Sequence, residues 1–200
     1  PADIAIVGMG SLLPGSETLA QYWRRILSGQ SAIREIPEDR WDLDAYFDAD
    51  RSVRDRVYSR RGGFLSDIPF DPLAYGIPPT TLGSVDPMQL LSLELVKDVL
   101  ADSGEAERAD RNRVSVMLGF SGGIGETGGH YVARSELLRL FGDSIPEEIL
   151  AKLPEWTEDS FAGTLPNVSA GRAANRFDFG GTNVTVDAAC GSSLAAIYQG

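Results

Sequence analysis

The stretch from Val184 to Gly200, VTVDAACGSSLAAIYQG, decides the fold of the chain. The β-branched residues of Asn183–Val186 predict a strand that ends near Asp187. The small residues from about Cys190 onward predict a helix, so Cys190 lies where the chain turns from strand into helix. Strands and helices alternate along the rest of the sequence as well, which predicts a layered α/β domain.

Cys190 is the single cysteine of the chain and lies at the beginning of that predicted helix. Backbone N–H groups at a helix N-terminus lack partners within the helix, and the helix dipole favours a thiolate there. The same N–H groups can stabilise an oxyanion when a thiolate attacks a carbonyl. Gly191, Ser192 and Ser193 are small enough to let a thioester approach the sulfur. A lone cysteine is more commonly a buried structural residue, and its position alone leaves both interpretations open.

Hydrophobic periodicity and capping residues predict two further strands and three further helices. The strands are a buried Ile4–Val7 and a second core strand at Val114–Leu118. The helices run from a cap at Ser16 to Gly29, from a cap at Asp86 to near Gly104, and over about residues 167–176.

Two long segments lack a clear pattern. Residues 31–85 are rich in Asp, Arg, Pro and Gly, and we predict a covering segment ordered by the aromatic residues Trp41, Tyr46, Phe47, Phe64 and Phe70. Residues 121–165 contain six glycines between positions 122 and 142 and predict an insertion of loop and short helix. Gly200 lies inside a predicted helix without a stop signal, so we expect the sequence to be a truncated piece of a domain.

Two glycine-rich segments partly match the dinucleotide-binding pattern GxGxxG. Gly8 and Gly10 have the right spacing, but Leu13 takes the third glycine position, where a side chain would obstruct helix–strand packing. Gly123–Gly128 matches formally, but Glu126 would lie where the phosphate charge must go, and no strand ending in an acidic residue follows. We interpret both segments as turns and expect no directly bound cofactor.

Composition argues against several classes of function. The formal net charge of −11 argues against binding to nucleic acid or to an anionic membrane. No apolar run is long enough to cross a bilayer and the N-terminus does not look like a signal peptide, so we expect a cytoplasmic protein. One Cys and one His exclude a disulfide and a multi-cysteine metal site, and we expect no metal.

Five arginines within eleven residues form what we call the arginine segment: Arg51, Arg54, Arg56, Arg60 and Arg61. We interpret it as a solvated loop or a dimer-contact segment, because arginine clusters are common without partners. The alternative is a docking patch for an acidic partner.

Several motifs carry a resemblance to a known family. VDAACGSSLAA at 186–196 resembles the active-site signature of the β-ketoacyl synthases, and above all of the ketosynthase domains of type I polyketide synthases. Four more segments match the same domains in the same order: DIAIVGMGSLLPGSETLAQYW (3–23), IPEDRWDLDAYFD (36–48), YSRRGGFL (58–65) and FDPLAYGIPPTTLGSVDPMQLLSLE (70–94). The GIPP form at 76–79 is similar to polyunsaturated-fatty-acid synthases and related iterative synthases. The resemblance therefore extends from residue 2 to residue 200.

This resemblance implies a thiolase-like fold, in which two related α/β halves form a layered α-β-α-β-α arrangement. Residues 1–200 would be the N-terminal half with its cover segments, ending shortly after the nucleophile. The family usually dimerises through the strand before the cysteine, which implies a homodimer contact at Asn183–Val186.

The implied chemistry is β-ketoacyl synthesis with Cys190 as the catalytic residue. Cys190 would accept an acyl chain from the 4′-phosphopantetheine of an acyl carrier protein, and a malonyl-type extender would then condense with it in a decarboxylative Claisen reaction. The implied partners are the acyl carrier protein and downstream domains of the same polypeptide, including an acyltransferase.

The sequence departs from the family pattern in two places. Gly191 replaces the usual Ala or Ser after the nucleophile, at a cost below about 1 kcal/mol for the first turn of a helix. The family also uses two decarboxylating histidines after the nucleophile, and this sequence ends ten residues past Cys190. We therefore expect the isolated chain to be inactive. His130 matches neither histidine, and we predict a surface or loop residue; for Asp187 we predict a hydrogen-bond acceptor in the turn.

Two alternatives stay open. A non-catalytic partner or interaction domain with the thiolase fold would normally lack the cysteine. A CoA-dependent thiolase-fold acyltransferase would normally lack the cover segments DRWDLDAYFD and YSRRGGFL.

Overall fold

The computed structural model of the chain describes residues 3–104 and 110–200, and these form two compact units. The first unit extends to Pro69 and the second from Phe70 to Gly200. Each unit combines helices with paired strands, so the predicted α/β class is confirmed.

Residues 3–69, the described part of the first unit, contain two helices and two short strands. The helices are α1 (Leu19–Ser28) and α2 (Leu43–Tyr46), and the strands are β1 (Arg34–Glu35) and β2 (Arg61–Gly62). The strands pair antiparallel, with Arg34 opposite Gly62. The shortness of these elements agrees with the weak sequence pattern after residue 31.

Helix α1 ends as predicted, but its N-terminal cap lies two residues after the predicted one. Gly29 ends the helix in the left-handed conformation at φ 64°, which glycine adopts without a steric penalty. The cap is Thr18, whose hydroxyl accepts from the Gln21 amide at 3.3 Å. The prediction of Ser16 as the cap is wrong, because its buried hydroxyl accepts instead from Arg25 Nε at 3.3 Å.

The predicted buried strand Ile4–Val7 is also wrong. Its backbone forms no strand, and Ile4 and Ile6 are 94% and 83% exposed. A β-strand needs a neighbouring backbone to accept its hydrogen bonds, and no strand in the described part of the chain pairs with this segment. The apolar pattern of this segment is typical of a buried strand, but its residues are exposed in the structure.

The second unit contains six helices and two strands among its described residues. The helices are α3 (Pro87–Ser103), α4 (Gly125–Phe141), α5 (Glu147–Leu150), α6 (Glu158–Thr164), α7 (Pro166–Arg176) and α8 (Ser192–Gln199). The strands are β3 (Val116–Gly119) and β4 (Asn183–Val186). Short 3₁₀ helices cover Leu73–Tyr75, Pro79–Ser84, Arg111–Arg113, Gly142–Ser144 and Ala189–Gly191.

The two strands of this unit run parallel, and the helices between them form the crossover connection that parallel strands need. Val116 lies opposite Asn183, and Gly119 lies opposite Val186. Helix α7 packs against β4 and α3, and α8 packs against β3. The predictions of β3, β4 and α7 are confirmed within two residues. Both strands end on the same side of the sheet, where Phe120 and Asp187 follow them.

The core of the second unit lies between α3, α7 and β3. Its buried members include Ile77, Leu93, Val116, Ala170 and Ala173. Tyr75 brings a hydroxyl into this core and donates to Glu94 Oε1 at 2.9 Å. Burial, together with the hydrogen bond to Glu94 and its charge, raises the pKa of Tyr75 to about 12. The core thus contains a phenol that stays neutral over the physiological range.

Asp86 contacts the beginnings of two helices. It caps α3, as predicted, and it also contacts α4, which the sequence did not predict. Its Oδ1 accepts from the Met88 amide of α3 at 3.0 Å. Its Oδ2 accepts from the Thr127 amide in the first turn of α4 at 3.2 Å. The Asp86 amide itself donates to Gly163 O at 2.9 Å. Asp86 is 4% exposed, so one buried residue links α3 and α4 through its carboxylate and the end of α6 through its backbone amide.

The predicted insertion of loop and short helix over 121–165 is wrong in its first part. Helix α4 is 17 residues long and begins inside the glycine-rich run. Glycine lowers helix propensity by about 1 kcal/mol per residue, but Asp86 and the packing of buried Thr127, Gly128 and Tyr131 stabilise the first turns. Tertiary contacts therefore override the local composition.

Gly119, at the end of β3, lets α8 lie directly against the strand. A Cβ atom at this position would lie 2.6 Å from both the carbonyl carbon and the carbonyl oxygen of Ser192. Real Cβ atoms do not approach backbone this closely, so only glycine permits the observed contact. The first turn of α8, two residues past Cys190, is positioned by this absence of a side chain.

We predict that Gly119→Ala displaces the first turn of α8 and destabilises it by about 1–3 kcal/mol, because the added methyl group overpacks a backbone contact. Native-state hydrogen exchange of residues 190–199 in the full-length protein measures this opening free energy. Gly129→Ala is the matched control, since nothing lies within 4 Å of its Cβ position on α4, and it should raise the stability of α4 by up to about 1 kcal/mol. Equal exchange rates of residues 190–199 in wild type and Gly119→Ala would contradict the packing argument.

We further predict that Asp86→Ala lowers the free energy of local opening at α4 by about 2–3 kcal/mol, since it removes a cap and leaves the buried Thr127 amide without an acceptor. The amide of Thr127 should exchange faster. Asp42→Ala removes the exposed cap of α2 and should cost less than about 1 kcal/mol. A similar cost for both variants would show that the second contact of Asp86 contributes nothing.

Candidate functional site

Cys190 lies on a single 3₁₀ turn, Ala189–Gly191, between β4 and α8. Its side chain is exposed, so the interpretation of a buried structural cysteine is wrong. The prediction that Cys190 lies between strand and helix is confirmed, although α8 begins two residues later than predicted, at Ser192. The sulfur is therefore accessible to an external reactant.

The residue before Cys190 has an unusual backbone conformation. Ala189 has a φ of +49°, in the left-handed region that L-residues adopt at a cost of about 1–2 kcal/mol. Asp187 Oδ1 accepts from the Ala189 amide at 2.9 Å, which confirms the predicted role of Asp187 as a hydrogen-bond acceptor in the turn. This bond closes a short side-chain-to-backbone turn and offsets part of the strain.

Ser192 contacts the same turn from the helix side. Its hydroxyl accepts from the Ala188 amide at 2.9 Å and donates to Ala189 O at 2.7 Å. The side chain is 4% exposed. Asp187 and Ser192 thus hold the turn from its strand side and its helix side. From the sequence, Ser192 was recognised only as a small residue.

A cavity of about 220 Å³ opens at the carboxyl ends of β3 and β4. This is the end of a parallel sheet where α/β proteins bind ligands. Two hydrogen bonds fix its walls: the Phe120 amide donates to Val186 O at 2.9 Å, and Thr185 Oγ1 donates to Pro166 O at 3.1 Å. The lining residues are Phe120, Ser121, Gly122, Gly123, Pro166, Asn167, Thr185 and Asp187.

Sequence reasoning did not predict this cavity. Asp187 lines it and also supports the turn before Cys190, so the cavity and the turn share one side chain. The available signal was the pair of parallel strands, because residues that follow the carboxyl ends of neighbouring strands meet at one edge. The segments Phe120–Gly123 and Pro166–Asn167 come from distant parts of the sequence, and their meeting depends on packing.

His130 lies on α4 and is exposed. The prediction of a surface or loop imidazole is confirmed by this exposure, and His130 lies on a helix because α4 begins inside the glycine-rich run. His130 is absent from the cavity lining and from the contacts of the turn around Cys190. The structure therefore supplies Cys190 with no imidazole from this chain's described residues.

The two glycine-rich segments differ in their surroundings. Between Gly8–Gly10 and Leu19, where α1 begins, the chain forms no helix, whereas the dinucleotide motif leads directly into one. In the second segment, Glu126 lies in the first turn of α4, where its charge opposes a bound phosphate. Gly122 and Gly123 line the cavity instead.

Residues of the arginine segment make contacts within the first unit. Each of three guanidinium groups lies against an aromatic ring or a carbonyl group. These are Arg51 over the Tyr58 ring at 4.5 Å, Arg60 over the Phe47 ring at 5.3 Å, and Arg61 Nη2 donating to Ile33 O at 3.0 Å. Such contacts favour a role inside this unit, while the docking role stays a prediction.

Arg172 lies on α7, a helix that borders the cavity, and its pKa is lowered. Burial is the main cause, and the nearby positive charge of Arg176 adds to the effect, while Asp159 opposes it. Arg172 Nε donates to Gln89 Oε1 at 3.0 Å, and Gln89 Nε2 donates to three carbonyl groups at the end of α6. We interpret this network as structural.

The described residues contain neither a cluster of metal-binding side chains nor a helix that could cross a membrane. Within 3–104 and 110–200, no three His, Cys, Asp or Glu side chains converge so as to hold a metal ion. In the same residues, no helix has the length and hydropathy needed to cross a membrane.

Comparisons with known proteins identify relatives along the whole chain. Residues 2–200 match the model of the β-ketoacyl synthase N-terminal domain. The chain is 37% identical, over 97% of its length, to a polyunsaturated fatty acid synthase subunit from Thraustochytrium sp.. It is 31% identical, over 98% of its length, to polyketide synthase PksL of Bacillus subtilis.

Solved structures of ketosynthases share its fold. The chain superposes with a TM-score of 0.76 on the oxazolomycin ketosynthase domain OzmH KS7 of Streptomyces albus, at 30% identity and over its full length. A ketosynthase from module 6 of the bacillaene synthase of Bacillus subtilis gives a TM-score of 0.68 at 25% identity.

The chain spans only part of each of these relatives. It covers 7% of the Thraustochytrium synthase polypeptide, 4% of PksL and 31% of the solved OzmH ketosynthase chain. The similarity nevertheless extends over almost every residue of this chain, and it includes the turn that presents Cys190. The chain therefore belongs to the β-ketoacyl synthase family, and residues 2–200 match the N-terminal domain of that family.

Proposed function

We propose that Cys190 is the acyl-accepting nucleophile of a β-ketoacyl synthase. The observation that carries this proposal is the exposed sulfur on a strained turn between a parallel strand pair and a helix. Strain in the backbone at such a position is typical of functional turns and persists only where surrounding contacts hold it. Asp187 and Ser192 supply these contacts.

In the proposed first step, the Cys190 sulfur attacks the thioester carbonyl of an acyl chain on the 4′-phosphopantetheine of an acyl carrier protein. A new carbon–sulfur bond forms to Cys190, and the bond to the pantetheine sulfur breaks. The pantetheine thiol leaves with the proton that Cys190 has lost. Backbone N–H groups at the beginning of α8 are the donors that this chain offers to the intermediate oxyanion.

In the proposed second step, a malonyl-type extender on a carrier protein loses carbon dioxide. Its carbanion attacks the Cys190 thioester, a carbon–carbon bond forms, and the Cys190 thiolate leaves. The resemblance to the family implies that decarboxylation needs two histidines. His130 matches neither of them and lies on the surface of α4. We propose that both histidines belong to a further part of the ketosynthase domain, of which residues 1–200 form the N-terminal portion. The 31% coverage of a solved ketosynthase chain supports this proposal.

The same proposal includes the thiolase-like layered α-β-α-β-α arrangement, a homodimer and further domains. Strand β4 pairs on one side with β3, which leaves its other edge able to pair with a second copy. We therefore propose Asn183–Val186 as the dimer strand. An acyltransferase domain and the carrier protein are the proposed partners, in agreement with the small share of the long synthases that this chain covers.

We predict that the full-length enzyme becomes acylated on Cys190 when it is mixed with an acyl carrier protein loaded with an acyl chain. Cys190→Ala should reduce this transfer by about 10⁴-fold or more, because the nucleophile is removed. Intact-protein mass spectrometry gives the mass of the acyl group, and peptide mapping gives its position. His130→Ala is the control and should acylate at the wild-type rate. An acyl group on another residue, at wild-type rate in Cys190→Ala, would overturn the proposal.

A second experiment separates the carrier-protein enzyme from a CoA-dependent acyltransferase. We predict that the same acyl chain is transferred from the carrier protein at least about tenfold faster than from CoA at equal concentration, since the protein part of the donor adds binding energy. Single-turnover rates with both donors test this. Faster transfer from CoA would favour the alternative class, and no transfer from either donor would favour a non-catalytic domain.

A further inference from the structure

We infer that Ser192 is a positioning residue for acylation at Cys190, and this inference rests on the proposed function. Its hydroxyl bridges two peptide units of the turn, since it accepts from the Ala188 amide and donates to Ala189 O. The Ala189 carbonyl belongs to the peptide bond that leads into Cys190. Ser192 therefore fixes the plane of the peptide unit attached to the nucleophile.

Fixing this carbonyl also fixes the opposite edge of the same peptide. The C=O and N–H groups of a trans peptide point in opposite directions, and no described peptide bond of the chain is cis. With Ala189 O held toward Ser192 at 2.7 Å, the Cys190 N–H must point away from the beginning of α8. The hydroxyl thereby sets the direction of the Cys190 amide and of the N–Cα bond from which the side chain of Cys190 extends.

The turn depends on such a contact because its backbone does not favour the observed conformation. Ala189 has a φ of +49°, and without external bonds an alanine returns readily to negative φ. Such a change would rotate the peptide before Cys190. Asp187 holds the amide side of Ala189 and Ser192 holds its carbonyl side, so each side chain opposes the same rotation.

The two bonds differ in their exposure to water. Asp187 is exposed, whereas Ser192 is 4% exposed. The hydrogen bond of Asp187 is exposed, whereas the two bonds of Ser192 are partly buried, so water competes less with the bonds of Ser192. The backbone of Ser192 also lies against Gly119, where no side chain separates strand and helix. Ser192 thus connects the turn to the point where α8 lies against β3, and we assign the larger effect to it.

The test is single-turnover acylation of the full-length enzyme by an acylated carrier protein, with the carrier protein varied. In Ser192→Ala we expect the maximal rate to fall by about 10- to 100-fold, the effect of a small misplacement of a reacting group. The half-saturating carrier concentration should change less than about twofold, because the hydroxyl contacts no substrate. Ser192→Thr retains a hydroxyl and should recover most of the maximal rate.

Ser92→Ala is the matched control. Ser92 is 8% exposed, and its hydroxyl donates to a backbone carbonyl, Met88 O, at 2.8 Å, on α3 away from the turn. This variant removes a similarly buried hydroxyl and should retain the wild-type maximal rate. Thermal unfolding of both alanine variants shows whether their stabilities change by similar amounts, so that a difference in rate reports on the turn alone.

Wild-type acylation kinetics in a folded Ser192→Ala would overturn the inference while leaving the proposed function intact. Equal losses in Ser192→Ala and Ser92→Ala would also overturn it, since they would indicate general destabilisation. If Ser192→Ala does not fold, Asp187→Ala removes the other bond of the turn from an exposed position. A maximal rate that falls while the half-saturating carrier concentration stays unchanged would then support the inference, and an unchanged maximal rate would overturn it. Absence of acylation in the wild type would instead contradict the proposed function.

Discussion

The contact between Gly119 and the backbone of Ser192 is the constraint on which the site depends. It brings the first turn of α8 against the end of β3 with no side chain between them. Strand β4 pairs with β3 in parallel register, so the chain must pass from the end of β4 to the beginning of α8 within five residues. Within this short connection Ala189 adopts a left-handed φ.

This geometry explains why Cys190 is exposed to solvent although it follows strand β4 by only a few residues. Cys190 lies on the 3₁₀ turn between β4 and α8, where its side chain is exposed. Asp187 serves both the turn and the wall of the neighbouring cavity. A ligand that fills the cavity therefore lies next to a side chain that supports the backbone before Cys190. The six residues 187–192 thus connect the packing of α8 on β3 and the strained backbone of Ala189 with the exposed side chain of Cys190.

Much of this arrangement could be predicted from the sequence because its signals are local. Asp86 followed by Pro87, the β-branched Asn183–Val186 and the small residues after Cys190 each specify their own backbone, and the structure agrees with them. The strand predicted at Ile4–Val7 is wrong because a strand also needs a neighbouring strand to pair with. The local sequence pattern gives no information about such a neighbour. Helix α4 was missed because its glycines disfavour a helix locally, while Asp86, almost forty residues earlier, caps it. The cavity depends on three distant segments and left no local signal.

The central claim is that Cys190 meets the pantetheine arm of a carrier protein on this turn. The most direct measurement uses a carrier protein whose pantetheine thiol is replaced by an α-bromo amide, an electrophile whose bromide a nearby thiolate displaces. The account predicts a covalent one-to-one complex of this carrier protein with the full-length enzyme, in which peptide mapping locates the new carbon–sulfur bond on Cys190. A cross-link to another residue, or no cross-link while Cys190 still reacts with a small alkylating reagent, would contradict it.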